Sequence, residues 1–175
     1  FTGRLPNPIA MAVPASYNDL LPDEAVRDHV GDVWYQRLVR VPRGWSDQRI
    51  LLRFESATHR ATVWVNEQEV VSHEGGYTPF EADLTGLVPP GQEIRITICV
   101  NNVLSFQSIP PGVLEVAPSG AQRQHYWHDF FNYAGIHRSV WLHTTPRAYI
   151  DDVTVVTGLS GTTGTVDYAV DVVGA

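Results

Sequence analysis

Apolar and polar side chains alternate along several short stretches of this chain, and a period of two is the signature of a strand. Within residues 93–100, Ile94, Ile96, Ile98 and Val100 fall on one face, as a half-buried strand requires. Residues 61–66 repeat the pattern, which predicts Ala61, Val63 and Val65 inward and Thr62, Trp64 and Asn66 outward. Residues 50–54 fit as well. The stretches 34–41, 139–144 and 153–156 carry the β-branched and aromatic residues that strands favour. No stretch keeps a helical period with caps, and the best short candidate, residues 23–29, follows Pro22. Turn formers separate these elements: Pro42-Arg43-Gly44, Asn66-Glu67, Gly75-Gly76, Pro89-Pro90-Gly91 and Ser119-Gly120. Many short strands between punctuated turns predict an all-β sandwich of jelly-roll type, because each strand has one face to bury against a facing sheet.

Two regions break the rhythm. From Asn101 to Tyr126 the chain is rich in Pro, Ser and Gly, with no alternation, and is read as a long loop. It runs into an aromatic cluster, Tyr126-Trp127-His128-Asp129-Phe130-Phe131-Asn132-Tyr133, which favours a packed binding loop over a disordered one. Near Pro146 the pattern pauses before new strands begin, which suits a domain boundary. The division expected is 1–146 for the first domain and 147–175 for the start of a second, with residues 166–175 stopping in mid-alternation with no partner strand following.

Composition narrows the partners. The 175 residues carry 43% hydrophobic and 18% charged side chains, a globular balance. Net charge is −7, from 12 Lys and Arg against 19 Asp and Glu, so neither nucleic acid nor an anionic membrane surface is an expected partner. An acidic ligand would need local cations to hold it. The single cysteine, Cys99, excludes an internal disulfide. No apolar run approaches the roughly 20 residues of a membrane helix, and the first residues lack the order of a signal peptide. The compartment is not decided by these features.

Three segments are more specific than composition. Ala12-Val13-Pro14-Ala15-Ser16-Tyr17-Asn18-Asp19 resembles the Val-Pro-Gly-Ser-Phe-Asn-Asp segment of glycoside hydrolase family 2. Gly75-Gly76-Tyr77-Thr78-Pro79-Phe80-Glu81-Ala82-Asp83 is similar to the loop that follows that family's central strands. His128-Asp129-Phe130-Phe131-Asn132-Tyr133-Ala134-Gly135-Ile136-His137-Arg138 is similar to the signature that closes its sugar-binding domain. Within the family these versions look like the β-glucuronidase branch, and the likeness runs in order from about Ile9 to Val156.

The resemblance implies a galactose-binding-like jelly roll, then an immunoglobulin-like sandwich, then a (β/α)₈ barrel. It implies that the family's first strand precedes residue 1 and that the barrel lies outside these residues. The activity implied is retaining hydrolysis of β-D-glucuronides to glucuronate and an alcohol, in a homo-oligomer, dimer or tetramer, with no cofactor. Such chemistry needs two carboxyl groups flanking the scissile bond; in the family both are barrel glutamates, so no catalytic residue is expected within this chain. The resemblance gives Asp129 the role of accepting hydrogen bonds from the hydroxyls of the glucuronate ring, across from the barrel. By residue type alone, Asp129 is better explained as an Asp that caps a turn between aromatic residues, and it is the resemblance that reverses this order.

His128 is placed beside it in the substrate-binding set, orienting the loop through a hydrogen bond. His125 and His128 stand three apart, but without further ligands at suitable spacing no metal site is expected. Gly135 reads as a positive-φ or close-packed position, and Arg138 as a brace for the loop or the barrel. Trp127, Phe130, Phe131 and Tyr133 read as a hydrophobic foot seated on neighbouring domains, or as a sugar-stacking platform. Trp64 and Trp141 read as interface or core residues. Ser16 and Ser139 lie in no nucleophile motif. The competing reading is a free-standing, lectin-like carbohydrate-binding module on the same sandwich.

Overall fold

The structure is a computed structural model and describes residues 3–174. Its elements follow in the order α1 (Tyr17–Leu20), α2 (Glu24–Arg27), β1 (Asp32–Arg40), β2 (Arg49–Phe54), β3 (Arg60–Val65), β4 (Gln68–Glu74) and β5 (Phe80–Asp83). Then come β6 (Glu93–Asn101), β7 (Gly112–Val116), β8 (Gln122–Tyr126), β9 (Val140–Thr145), β10 (Tyr149–Ser160) and β11 (Thr163–Val173). All named pairings are antiparallel.

A four-stranded sheet, ordered β1-β6-β3-β4, faces a three-stranded sheet, ordered β5-β2-β9. Between them lies one core, in which Ile94, Ile96, Ile98 and Val100 of β6 and Ala61, Val63 and Val65 of β3 meet Ile50, Leu52 and Phe54 of β2. These are the residues whose alternation marks them as inward-facing, and the outward assignment of Thr62, Trp64 and Asn66 also holds. The reason is the pleat: successive Cβ atoms point to opposite faces, so only a period of two keeps one face dry. Phe54 and Phe80 stack at the centre, with ring centroids 4.8 Å apart and planes within 6°. Asn66 turns the chain from β3 to β4 with φ +55°, and its side-chain Oδ1 accepts from the Arg95 amide at 3.0 Å. An Asn tolerates that left-handed backbone better than most residues. The short helix after Pro22 is present as α2; Asp23 caps it, accepting from the amides of Ala25 at 2.9 Å and Val26 at 3.3 Å.

Four strands, β4, β5, β7 and β8, lie where no strand was expected. The most consequential are β7 and β8, which form a two-stranded hairpin inside the region read as a long loop. Its strands escape the alternation test because they are only partly covered: Gln122, Arg123, Gln124 and His125 supply one strand with a run of polar side chains. The hairpin is tied to the sandwich by Gln124, whose side chain accepts from the Leu104 amide at 2.6 Å and donates to the Asn102 carbonyl at 3.1 Å.

In the tail, β11 pairs with the strand before it, β10, from Tyr149↔Val173 to Ser160↔Thr163. Their hairpin is exposed almost throughout, with Val153, Val155, Val166, Tyr168 and Val170 among its uncovered apolar residues.

Candidate functional site

The hairpin β7-β8 leads into the aromatic segment between β8 and β9. Its tip is open. Trp127 and Phe131 are 60% and 46% exposed, and Trp127 stacks on the exposed ring of Phe106 at 5.7 Å. Asp129 stands exposed at the tip, with no hydrogen-bond or ion-pair partner among the described residues. Among the described residues its side chain caps no turn.

His128 departs from its expected role. Among the described residues it forms no hydrogen bond, and its ring packs against Phe130 at 5.4 Å. His125 is directed elsewhere, with Nε2 lying 3.0 Å from Glu115 Oε2 across the hairpin. Arg138 is exposed and forms no carboxylate pair among the described residues. Trp141 is 56% exposed, which removes it from the core, while Trp64 stacks against Trp34 at 5.5 Å on the outer sheet face. Glu55 and Glu81 both approach Arg53, at 2.8 and 3.8 Å. Those two carboxylates are engaged by a guanidinium rather than free to act as an acid and nucleophile pair.

The base of the same segment is as constrained as the tip is open. Residues 132–137 return through a polar clamp contributed by three distant parts of the chain. The Ala15 amide donates to the Ile136 carbonyl at 3.1 Å. The buried Ser16 hydroxyl accepts from the Ala134 amide at 2.9 Å and lies 3.0 Å from the Ala134 carbonyl. The Asn18 side chain donates to the Asn132 carbonyl at 2.8 Å and accepts from the Ala134 amide at 3.1 Å. From the β2-β3 connection, the Thr58 amide donates to the Gly135 carbonyl at 3.0 Å, and His59 Nε2 lies 3.2 Å from Asn132 Oδ1. Ser56 hydrogen-bonds the Gly76 carbonyl and lies 3.0 Å from His137 Nε2, while Tyr77 meets the His137 ring edge-on at 5.4 Å. Thus the three segments that carried the family resemblance converge on one place.

Gly135 is the pivot. Its φ is +91°, and a Cβ there would overlap the Tyr35 hydroxyl and come within 2.9 Å of Tyr17 Cδ1. The expected positive φ and the expected close packing are both present. Burial pushes the Tyr35 phenol up to about 12, so that hydroxyl stays neutral. Ser16, Asn18, Ser56, Thr58 and His59 are functional candidates that reading the residues missed. Their only signal was membership of, or proximity to, the family-like segments.

Burial is also the main cause holding both clamp histidines below the ordinary imidazole value of 6.5. The neighbouring Arg60 and His137 add to it at His59, against the opposing hydrogen bond from Asn132. Arg138 adds to it at His137, against the Gly135 backbone. The unfolded chain therefore takes up protons first as pH falls below 6.5. Stability contributed by the neutral rings is complete above that value and is lost as pH descends from it toward the lower folded values. Calorimetric melting from about pH 8 to about pH 5 should show Tm falling along this limb. His59→Gln, which keeps a donor for Asn132 but does not titrate, should flatten it. A slope unchanged in that variant would contradict the assignment. At Cys99, burial, followed by the charge of Asp32, pushes the thiol up to about 11, which leaves it a poor nucleophile.

Comparison with known proteins shows the family of the chain. Residues 3–146 match the sugar-binding domain of the glycosyl hydrolases of family 2. A β-glucuronidase of Paenibacillus borealis is 51% identical over 172 residues, covering 95% of this chain and 29% of that protein. The human β-glucuronidase is 44% identical, covering 95% of this chain and 28% of its own length. Among solved structures, a β-glucuronidase of Ruminococcus gnavus superposes with a TM-score of 0.84 at 39% identity, covering 98% of this chain and 28% of that one. The same organism's enzyme has been solved in complex with D-glucuronic acid. The chain spans less than a third of the length of the curated relatives it matches.

Proposed function

The chain belongs to the glycosyl hydrolases of family 2, whose sugar-binding domain it carries, and from that premise we propose that it is the N-terminal part of a retaining β-glucuronidase. In this reading the sandwich, wound as a jelly roll, presents the Asp129 loop to a sugar pocket whose catalytic carboxylates lie on the barrel of the full-length protein. The Asp129 carboxylate accepts hydrogen bonds from ring hydroxyls of the glucuronate. Bonds of this kind are stronger than neutral ones and fix orientation as well as binding. His128, packed on Phe130, shapes the loop beside it. The open aromatic rim seats the loop against neighbouring domains and keeps water from the contact. The β10-β11 hairpin opens an immunoglobulin-like second domain that covers its exposed valines. Dimeric or tetrameric assembly belongs to the whole protein in the same reading.

The observation that carries the proposal is an exposed carboxylate, without a partner among the described residues, at the tip of a loop whose base is clamped from three sides. A free-standing lectin-like module is disfavoured by the comparisons, whose relatives are much longer hydrolases. The test is an assay of the full-length protein with chromogenic β-glucuronides, β-galactosides and β-mannosides. Hydrolysis selective for the glucuronide is expected. Preference for either of the other sugars would overturn the reading, and so would turnover by the 175-residue chain alone at the full-length rate.

A further inference from the structure

We propose that Asn18 is a positioning residue for Asp129, acting through the main chain of residues 132–134. This rests on Asp129 touching the sugar, as proposed above. The side-chain amide of Asn18 donates to the Asn132 carbonyl at 2.8 Å and accepts from the Ala134 amide at 3.1 Å. Those are the two groups that one residue of an adjacent parallel strand would engage, so Asn18 pairs with the loop as a strand residue would.

Asn132 is held a second time, through its own side chain, by His59 Nε2 at 3.2 Å. Ser16 is buried, holds Ala134 from the same side as Asn18, and lies 2.5 Å from Asn18 Oδ1, which fixes the amide's orientation. Asp129, three residues before Asn132, has no tether of its own among the described residues. Its position is therefore inherited from the base, and the base is set by Asn18 on one side and His59 on the other. A displacement of about 1 Å at a binding group can cost up to 10²-fold in rate, so a small release at Asn132 is enough to be read in kinetics.

The sharpest probe is Asn18→Asp in the full-length protein. It keeps the shape and the acceptor for Ala134, removes the donor, and turns an oxygen toward the Asn132 carbonyl. For a chromogenic aryl β-glucuronide the expected result is a KM raised about tenfold with a smaller change in kcat, since ground-state contact is what is lost. Asp129→Ala should raise KM further. The double variant Asn18→Asp/Asp129→Ala should be no worse than Asp129→Ala, because a positioning residue has nothing left to position. Additive losses in the double variant would overturn the proposal, as would an unchanged KM in Asn18→Asp beside a raised KM in Asp129→Ala. An unchanged KM in Asp129→Ala would sink the substrate-contact reading itself, which is a different failure. Should Asn18→Asp not fold, Asn18→Ser takes its place: it withdraws the amide donor from the Asn132 carbonyl with a smaller polar side chain, and the same non-additivity with Asp129→Ala is required.

Discussion

Replacing Phe54 with alanine is expected to lower the stability of the protein by about 3–5 kcal/mol, read as a fall in the urea unfolding midpoint. Phe54 is fully buried at the centre of the core and stacks on Phe80 at 4.8 Å. Truncation removes both the transferred apolar area and the partner face of a second ring. The sheets on either side are tied by backbone ladders and cannot collapse into the gap, so the cavity term is not relieved. Phe130→Ala, at the open tip, removes a ring of the same size from a site 39% exposed. That change should move stability by no more than about 0.5 kcal/mol. Equal losses at the two positions would mean that the core does not lie between the two sheets.

The contrast between Phe54 and Phe130 also shows what could be read in advance. Where a strand has one face in the core and one outside, the alternation is written into its residues, and β2, β3 and β6 were found in this way. The signal disappears where burial does. β4 lies at the edge of its sheet with a bulge opposite Val63 and Trp64, which breaks its period. β7 and β8 pair through their backbones with little to bury, so their side chains are free to be polar. The β10-β11 hairpin has the opposite character, since its valines alternate clearly yet remain uncovered here.

Asp129→Ala is the second large effect expected, a loss of about 10²-fold in kcat/KM for β-glucuronides in the full-length protein. A charge-assisted hydrogen bond is worth about 1.5–3 kcal/mol, and each 1.36 kcal/mol is about tenfold. Stability should barely change, because Asp129 has no hydrogen-bond or ion-pair partner to lose among the described residues. That separation matters, since a residue lost for structural reasons would lower both together. Asp129→Asn should recover part of the loss, as it retains one acceptor oxygen without the charge. A variant with unaltered kcat/KM would leave the loop as a docking element only.

Asp129 itself could be singled out only by its place in a family-like segment, because an exposed Asp between aromatic residues is otherwise an ordinary turn former. The clamp beneath it was harder to foresee. Ser16 and Ala134 lie 118 positions apart, and His59 and Asn132 lie 73 apart. No local pattern encodes a hydrogen bond over that distance; it exists only once the sandwich has brought β2, β3 and the β9 approach together. Ser16, dismissed as a nucleophile, proves to be a buried structural hydroxyl. Gly135 was legible because its requirement is local, a backbone that rarely accepts a Cβ.

The most direct measurement of the central claim is a crystal structure of the full-length protein with D-glucuronic acid bound. A carboxylate oxygen of Asp129 should lie about 2.5–3.0 Å from a hydroxyl oxygen of the sugar ring, at hydrogen-bonding distance. If both carboxylate oxygens stand more than about 5 Å from the sugar, too far for even a strained hydrogen bond, the loop does not touch substrate and the account is wrong.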